Sequence, residues 1–141
     1  MSRDVYSATL KLYGEEHPDS LLEASNYAPC LVRLKHFKEA KSLLCKTMPV
    51  ARRVLGESNE TTLRMKRTFA EALYQDPTAT LDDIREAVTT LEVADRIARR
   101  VFGAAPHPAT VNIAANLRHA RATLRAREAG RSVVFTTKRL E

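Results

Sequence analysis

The sequence is poor in several residue types, and each scarcity excludes a class of protein. Among its 141 residues there is no Trp, and only four are Gly and two are Cys. Two cysteines, Cys30 and Cys45, are too few for a disulfide framework and have no second pair with which to form a metal site. We expect both to be buried or half-buried free thiols. Scarce glycine together with frequent Ala, Leu, Arg and Glu favours helices.

Long apolar runs are also missing. No stretch approaches the roughly 20 apolar residues that a membrane-spanning helix needs. The opening residues, MSRDVYSATLKLYG, alternate polar and apolar side chains and lack the apolar core of a signal peptide. We therefore expect a cytoplasmic protein of one domain, with no membrane partner.

Motifs for catalysis, cofactors and metal ions are absent from the sequence. It contains no GxSxG motif, no Walker loop and no glycine-rich turn, and its histidines show neither HExxH nor an i, i+4 pair. Asp82 and Asp83 are adjacent, but they stand in the predicted first turn of a helix, where acids favour the helix dipole. The sequence predicts a protein that is not an enzyme, has no cofactor and binds no metal.

Charge of neither sign dominates. Lys and Arg number 23 against 17 Asp and Glu, which gives a net charge of +6. This mild excess favours acidic partners and leaves nucleic acid open as a ligand without requiring it.

A short segment occurs three times. YGEEHPDSL, LGESNETTL and FGAAPHPATV carry their glycines at Gly14, Gly56 and Gly103, which are 42 and 47 residues apart. Each glycine follows a helical pattern of apolar residues and suits a helix C-terminus because it tolerates positive φ. Pro18 and Pro108 then stand where a new helix begins, since the first helical position has no use for an N–H. Each segment is predicted to connect two helices.

Between these connectors, the apolar pattern predicts a pair of antiparallel helices in each repeat. We expect first helices over residues 19–34 and 61–75, and second helices over residues 37–55 and 81–102. A leading helix, 3–13, and a trailing helix, 108–128, are each half of a pair, and Gly130 is predicted to stop the last one. Thr80 and Asp83 resemble a capping box that opens the second helix of the longer repeat.

The chain then divides into a helical-repeat domain, residues 1–128, and a C-terminal tail, residues 129–141, that is expected to fray. The domain comprises a half repeat (1–13), two repeats (14–55 and 56–102) and a terminal half repeat (103–128).

Small and aromatic residues at fixed places give these helix pairs a resemblance to the tetratricopeptide repeat, in the long form found in kinesin light chains. The matching residues are Ala28, Phe37, Ala40 and Leu44 in the first repeat and Ala70, Ala87, Leu91 and Ala94 in the second, and the GEEHPDS connector supports the match. The resemblance implies an all-α, right-handed solenoid of about six helices. Two departures stand out: Ile84 replaces the aromatic residue of the second repeat, and Arg118 falls where Ala28 and Ala70 sat.

The resemblance further implies that the first helices of the repeats line a concave groove that binds a peptide or a partner helix. Carried over by position, the groove candidates are Asn26, Arg33, Arg64, Arg67, Tyr74, Asn112, Asn116 and His119, with Pro29, Val32 and Glu71 beside them. Asn26 and Asn116 fall where the family often places an asparagine that clamps the peptide backbone, since an amide both donates and accepts. The alternative is that they are polar filler near a helix start.

Arginines in the groove predict an acidic peptide, because guanidinium pairs well with carboxylate. The alternative is that they form a solvated helix face. Two other functions also stay open: a structural segment or remnant of a longer repeat array without its own ligand, and an RNA-binding helical repeat. The arginines of the last helix would serve RNA, although no aromatic residue is interleaved there for base stacking.

The array itself is small. Two complete pairs and two halves fall short of the number of repeats that usually gives stability. The leading helix has no first helix before it in the predicted array, so its apolar side, Val5, Ala8 and Leu12, is expected to be exposed and to favour self-association or a longer array.

Overall fold

A computed structural model of the chain describes the backbone of residues 2–140 and the side chains of residues 2–130. Over that range the chain forms six α-helices and no strand, which confirms the all-α prediction. The helices are α1 (Ser2–Tyr13), α2 (Pro18–Arg33), α3 (Phe37–Leu55), α4 (Glu60–Tyr74), α5 (Leu81–Phe102) and α6 (Pro108–Leu140). The bounds of the first five helices agree with the predicted ones to within one residue.

Each recurring connector opens the next helix with a side-chain cap from the same repeat position. His17 Nδ1 accepts the N–H of Asp19 at 3.1 Å, and Asn59 Oδ1 accepts the N–H of Thr61 at 2.8 Å. His107 Nδ1 accepts the N–H of Ala109 at 3.1 Å in the third connector. The cap satisfies one of the N–H groups that the first helical turn leaves without a partner. These side chains therefore serve as helix caps.

The connector glycines close the preceding helices. Gly14, Gly56 and Gly103 have φ of 85°, 93° and 74°, in the left-handed region that side chains with a Cβ rarely adopt. The insertion in the second repeat ends at the predicted capping box, in which Thr80 Oγ1 accepts the N–H of Asp83 and Asp83 Oδ2 accepts the N–H of Thr80. Both local predictions are confirmed.

The helices pack in chain order. Each helix contacts the next one along the chain, and α2, α4 and α6 also pack side by side. Fully buried alanines, among them Ala28, Ala40, Ala70 and Ala87, lie at the predicted contact positions and allow close approach of the backbones. The even-numbered helices therefore share one face of the molecule, and the predicted groove residues come from these helices.

Two details differ from expectation. The helix α6 continues through Gly130, so the predicted end at residue 128 is wrong; a glycine inside a helix costs only about 1 kcal/mol relative to alanine. Cys45 is exposed, contrary to prediction, whereas Cys30 is half-buried as expected. Pro29 and Pro49 lie inside α2 and α3, within the predicted bounds of these helices. The side chains of the predicted tail from residue 131 onward lie outside the described residues.

Among the residues that the structure describes, no helix combines the length and the apolarity needed to cross a bilayer.

Candidate functional site

Polar side chains from α2, α4 and α6 meet where these three helices lie side by side. We call this surface the polar face; its residues are Asn26, Arg64, Arg67, Glu71, Asn112, Asn116 and His119. Asn26 and Asn116 stand at the same distance from their helix starts, and the buried Thr68 occupies that position in α4. Because the helix starts are in register, residues at one repeat position fall in a row across the face.

A hydrogen bond joins α2 to α4 on the polar face. Arg64 Nη1 donates to Asn26 Oδ1 at 2.8 Å, and both side chains are half-buried. A guanidinium has five N–H donors, so this bond positions Arg64 and leaves most of its donors for other groups. The oxygen of the Asn26 amide is occupied, and its NH₂ group remains a donor.

A carboxylate joins α4 to α6. Glu71 Oε1 accepts from Arg67 Nη1 at 3.4 Å and from Asn116 Nδ2. Burial raises the pKa of Glu71, while the nearby Arg67, Asn116 and His119 act in the opposite direction. Glu71 thus orients one predicted groove arginine and one predicted groove asparagine, and it places a negative charge in a face that the sequence predicted to be basic.

A small cavity opens between the first turns of α4 and α6. Arg64, Arg67 and Asn112 supply its polar wall, and the buried side chains of Leu63 and Ile113 supply its apolar floor. Its volume is about 60 Å³, several times that needed for one water molecule. The guanidinium groups of Arg64 and Arg67, the amide of Asn112 and the apolar floor together suit a carboxylate carried on a short apolar stem.

Two of the predicted site residues do not join this arrangement. Arg33, at the end of α2, is exposed and donates to Cys30 Sγ at 3.1 Å. Tyr74, the last residue of α4, is only 7% exposed and packs in the core, where burial raises the pKa of its hydroxyl. Val32, named beside the candidates, is also buried. The remaining six predicted site residues lie on the polar face.

The sequence did not identify every contributor. Glu60 and Pro108 also line the cavity, because each occupies the first position of its helix and these two positions face each other across it. Their common place in the repeat was the signal that could have identified them. The pairing of Arg64 with Asn26 and of Glu71 with Asn116 had no such signal, since each joins side chains of two different helices.

Metal chemistry has no ligand set in the described part of the chain: among these residues no group of three or more His, Cys, Asp and Glu side chains is placed to hold an ion.

Comparisons with known proteins found no matching protein-family model, no matching curated protein and no matching solved structure.

Proposed function

We propose that the chain is a non-catalytic scaffold of the cytoplasm, an array of tetratricopeptide-like hairpins that binds an acidic peptide or partner helix across the polar face. The observation that carries this proposal is the cavity in which Arg64 and Arg67 stand beside Asn112 over an apolar floor.

Packing supports the proposed array. The contacts run between successive helices and between alternate even-numbered helices, which is the order that stacked hairpins require. Small buried residues recur at matching positions: Ala28 and Ala70 in the first helices, and Ala40 and Ala87 in the second helices. A right-handed solenoid built this way would make the polar face its concave surface.

The polar face offers donors in a row. Arg64 and Arg67 can donate to a ligand carboxylate, and the NH₂ group of Asn26 remains a donor beside Arg64, whereas the NH₂ group of Asn116 donates to Glu71. A hydrogen bond to a charged group contributes about 1.5–3 kcal/mol. Two guanidinium groups acting on one carboxylate would therefore provide much of the affinity for a short peptide, whereas a solvated helix face would show no preference for acidic sequences.

A fluorescence-polarisation titration tests the proposal. The probe is a labelled peptide of Asp, Glu and Leu, compared with the matched peptide in which Asn and Gln replace the acids. We expect binding of the acidic peptide, and a loss of at least about tenfold in affinity on Arg64→Glu with Arg67→Glu, from the hydrogen-bond magnitude above.

The matched control carries the same charge change elsewhere. Arg96 and Arg100 are exposed on α5, a helix that takes no part in the polar face, and Arg96→Glu with Arg100→Glu should leave the affinity unchanged. Equal losses in the two double variants would show a non-specific charge effect and would contradict the proposed site. Retention of single-stranded RNA with a steep salt dependence would favour an RNA-binding repeat instead. No binding of either probe would favour a structural segment without a ligand.

A further inference from the structure

One repeat position is buried in both complete repeats and exposed in α1. Val5, Thr47 and Ala94 each stand nine residues before a connector glycine. Thr47 is 6% exposed and Ala94 is fully buried, yet Val5 is 48% exposed. The sequence prediction that this side of α1 is exposed is therefore confirmed for Val5, and the comparison identifies the surface as one that the fold elsewhere covers.

A second repeat position shows the same difference at the other end of the molecule. Leu21, Leu63 and Val111 each stand three residues after the start of an even-numbered helix. Leu21 and Leu63 are both 1% exposed, whereas Val111 is 54% exposed. Two turns later, the fully buried Ala28 of α2 and Ala70 of α4 correspond to the exposed Arg118 of α6.

In the complete repeats these two positions lie against each other. Leu21 and Thr47 line one cavity between α1, α2 and α3, and Leu63 and Ala94 belong to one core cluster formed by α4, α5 and α6. Within a repeat, the second helix packs against the first. The exposed surface of α1 is the one that a second helix uses for this contact, and the exposed surface of α6 is the one that a first helix uses. The two exposed surfaces are therefore complementary.

An open groove lies on α6 at the place where a second helix would pack in a complete repeat. Its lining includes Arg99, Thr110 and Val111, which are the repeat counterparts of Leu10, Ser20 and Leu21 in the cavity beside α3. That cavity is closed by Lys46, Thr47 and Val50 of α3. Within the described residues, the groove on α6 has no such third wall.

We propose that α1 of a second copy of this chain supplies the third wall, so that copies associate head to tail with α1 of one seated on α5 and α6 of the next. The counterparts of Lys46, Thr47 and Val50 in α1 are Asp4, Val5 and Ala8. Val5 then meets Val111, in the same relation as Thr47 and Leu21.

Charge agrees with this placement. Lys46 lies with Leu10 in the filled cavity, and the counterparts of these two residues are Asp4 and Arg99. Seating α1 therefore brings the exposed Asp4 carboxylate beside the exposed Arg99 guanidinium, which pairs with Asp95 through Nε and keeps its Nη donors for a second carboxylate. The two mating surfaces differ, so the contact is heterologous and does not close on itself after two copies.

The inference rests on the stacked-hairpin arrangement of the proposed function and is independent of its ligand. The double variant Arg64→Glu with Arg67→Glu, which should lose the acidic peptide, should still associate. A protein that binds the peptide and remains monomeric would contradict this inference alone.

Sedimentation velocity and light scattering over a dilution series test it. We expect the wild-type mass to rise above the 15.8 kDa of one chain as concentration increases. Val5→Glu and Val111→Glu should each remain at the monomer mass, because each buries a charge at one of the two surfaces. An equimolar mixture of these variants should form a one-to-one dimer that does not grow, since one intact α1 surface and one intact α6 surface remain.

Dimer formation only on mixing the two variants distinguishes head-to-tail association from a symmetric dimer. If α1 packed against α1, Val5→Glu would abolish association, Val111→Glu would not, and the mixture would not be required for a dimer. Val54→Glu, on the partly exposed side of α3, is the matched control and should leave the mass series unchanged. Circular dichroism verifies that all variants remain helical. A wild-type protein at monomer mass throughout the series, or a mixture that does not dimerise, would overturn the proposal.

Discussion

Lys66 is 4% exposed, and its ammonium group donates a hydrogen bond to Glu57, nine residues earlier in the connector between α3 and α4. The corresponding residue of the first repeat is Ala24, which is fully buried. The buried lysine is thus paired with a carboxylate that reaches it from the connector. The pKa of Glu57 is held below its usual range by the hydrogen bond from Lys66, with Arg52 contributing.

Removing the Glu57 carboxylate should lower the free energy of unfolding more than replacing Lys66 with an apolar residue. Glu57→Gln leaves the Lys66 ammonium without a charged partner, and we expect a loss of about 1–3 kcal/mol in the free energy of unfolding. Lys66→Met replaces the ion with an apolar chain of similar length, so it should cost less or stabilise the fold. Urea denaturation measures both. Glu16→Gln, which breaks the exposed pair with Arg53, is the control and should change stability by less than about 1 kcal/mol. Equal effects of Glu57→Gln and Glu16→Gln would show that Lys66 is adequately solvated.

Asp76 and Glu71 should show opposite pH dependence. Hydrogen bonds from the N–H and hydroxyl of Thr78 hold the pKa of Asp76 below its usual range, whereas burial raises the pKa of Glu71. A lowered pKa contributes stability above the unfolded-state pKa, and this is lost as pH falls through the folded-state value. A raised pKa has the reverse sign, so the Glu71 carboxylate opposes folding at neutral pH, and this opposition disappears on acidification.

We therefore expect Asp76→Asn to be less stable than wild type at neutral pH and Glu71→Gln to be more stable. Both differences should shrink as pH falls from about 7 to about 3, across the usual carboxyl range. Urea midpoints measured at intervals over this range provide the check. Glutamine can still accept from Asn116 and Arg67, so a less stable Glu71→Gln at neutral pH would mean that the ion pair with Arg67 outweighs burial.

Local signals made most of the fold predictable. The connector glycines, the capping box and the alternation of helix starts and stops each depend on a few adjacent residues, and the structure reproduces them. The contacts of the polar face were less predictable from the sequence, because the Asn26–Arg64 and Glu71–Asn116 contacts join residues that are 38 and 45 positions apart. Sequence position selected the helices that supply the face, but it could not show that Tyr74 is buried.

The connector glycines and Gly130 should respond in opposite directions to alanine. Gly56 has φ of 93°, and a Cβ there would meet nothing within 4 Å, so backbone strain alone opposes Gly56→Ala. We expect a loss of about 1–2 kcal/mol. Gly130 lies inside α6 with equally open space around it, so Gly130→Ala should be neutral or stabilise by up to about 1 kcal/mol. Thermal and urea unfolding measure the difference, and a destabilising Gly130→Ala would indicate that the helix ends there in solution, as the sequence predicted.

Ala70 and Arg118 occupy the same repeat position in different surroundings, so one substitution should have two different effects. Ala70 is fully buried between α4 and α5, whereas Arg118 is exposed on α6. Ala70→Gln overfills the helix contact and buries an amide, and we expect a loss of at least about 1–3 kcal/mol. Arg118→Gln should remain within about 0.5 kcal/mol of its parent, as surface changes usually do.

Both substitutions are best measured in the Val5→Glu background, in which head-to-tail association is blocked and unfolding reports on the single chain. Under these conditions the outer side of α6 has only solvent against it, and the cost of a longer side chain there should vanish. A loss for Arg118→Gln comparable to that for Ala70→Gln would mean that this side of α6 is packed against protein even in the isolated chain. The groove beside Val111 would then be closed, and α1 of a second copy would have no place to bind.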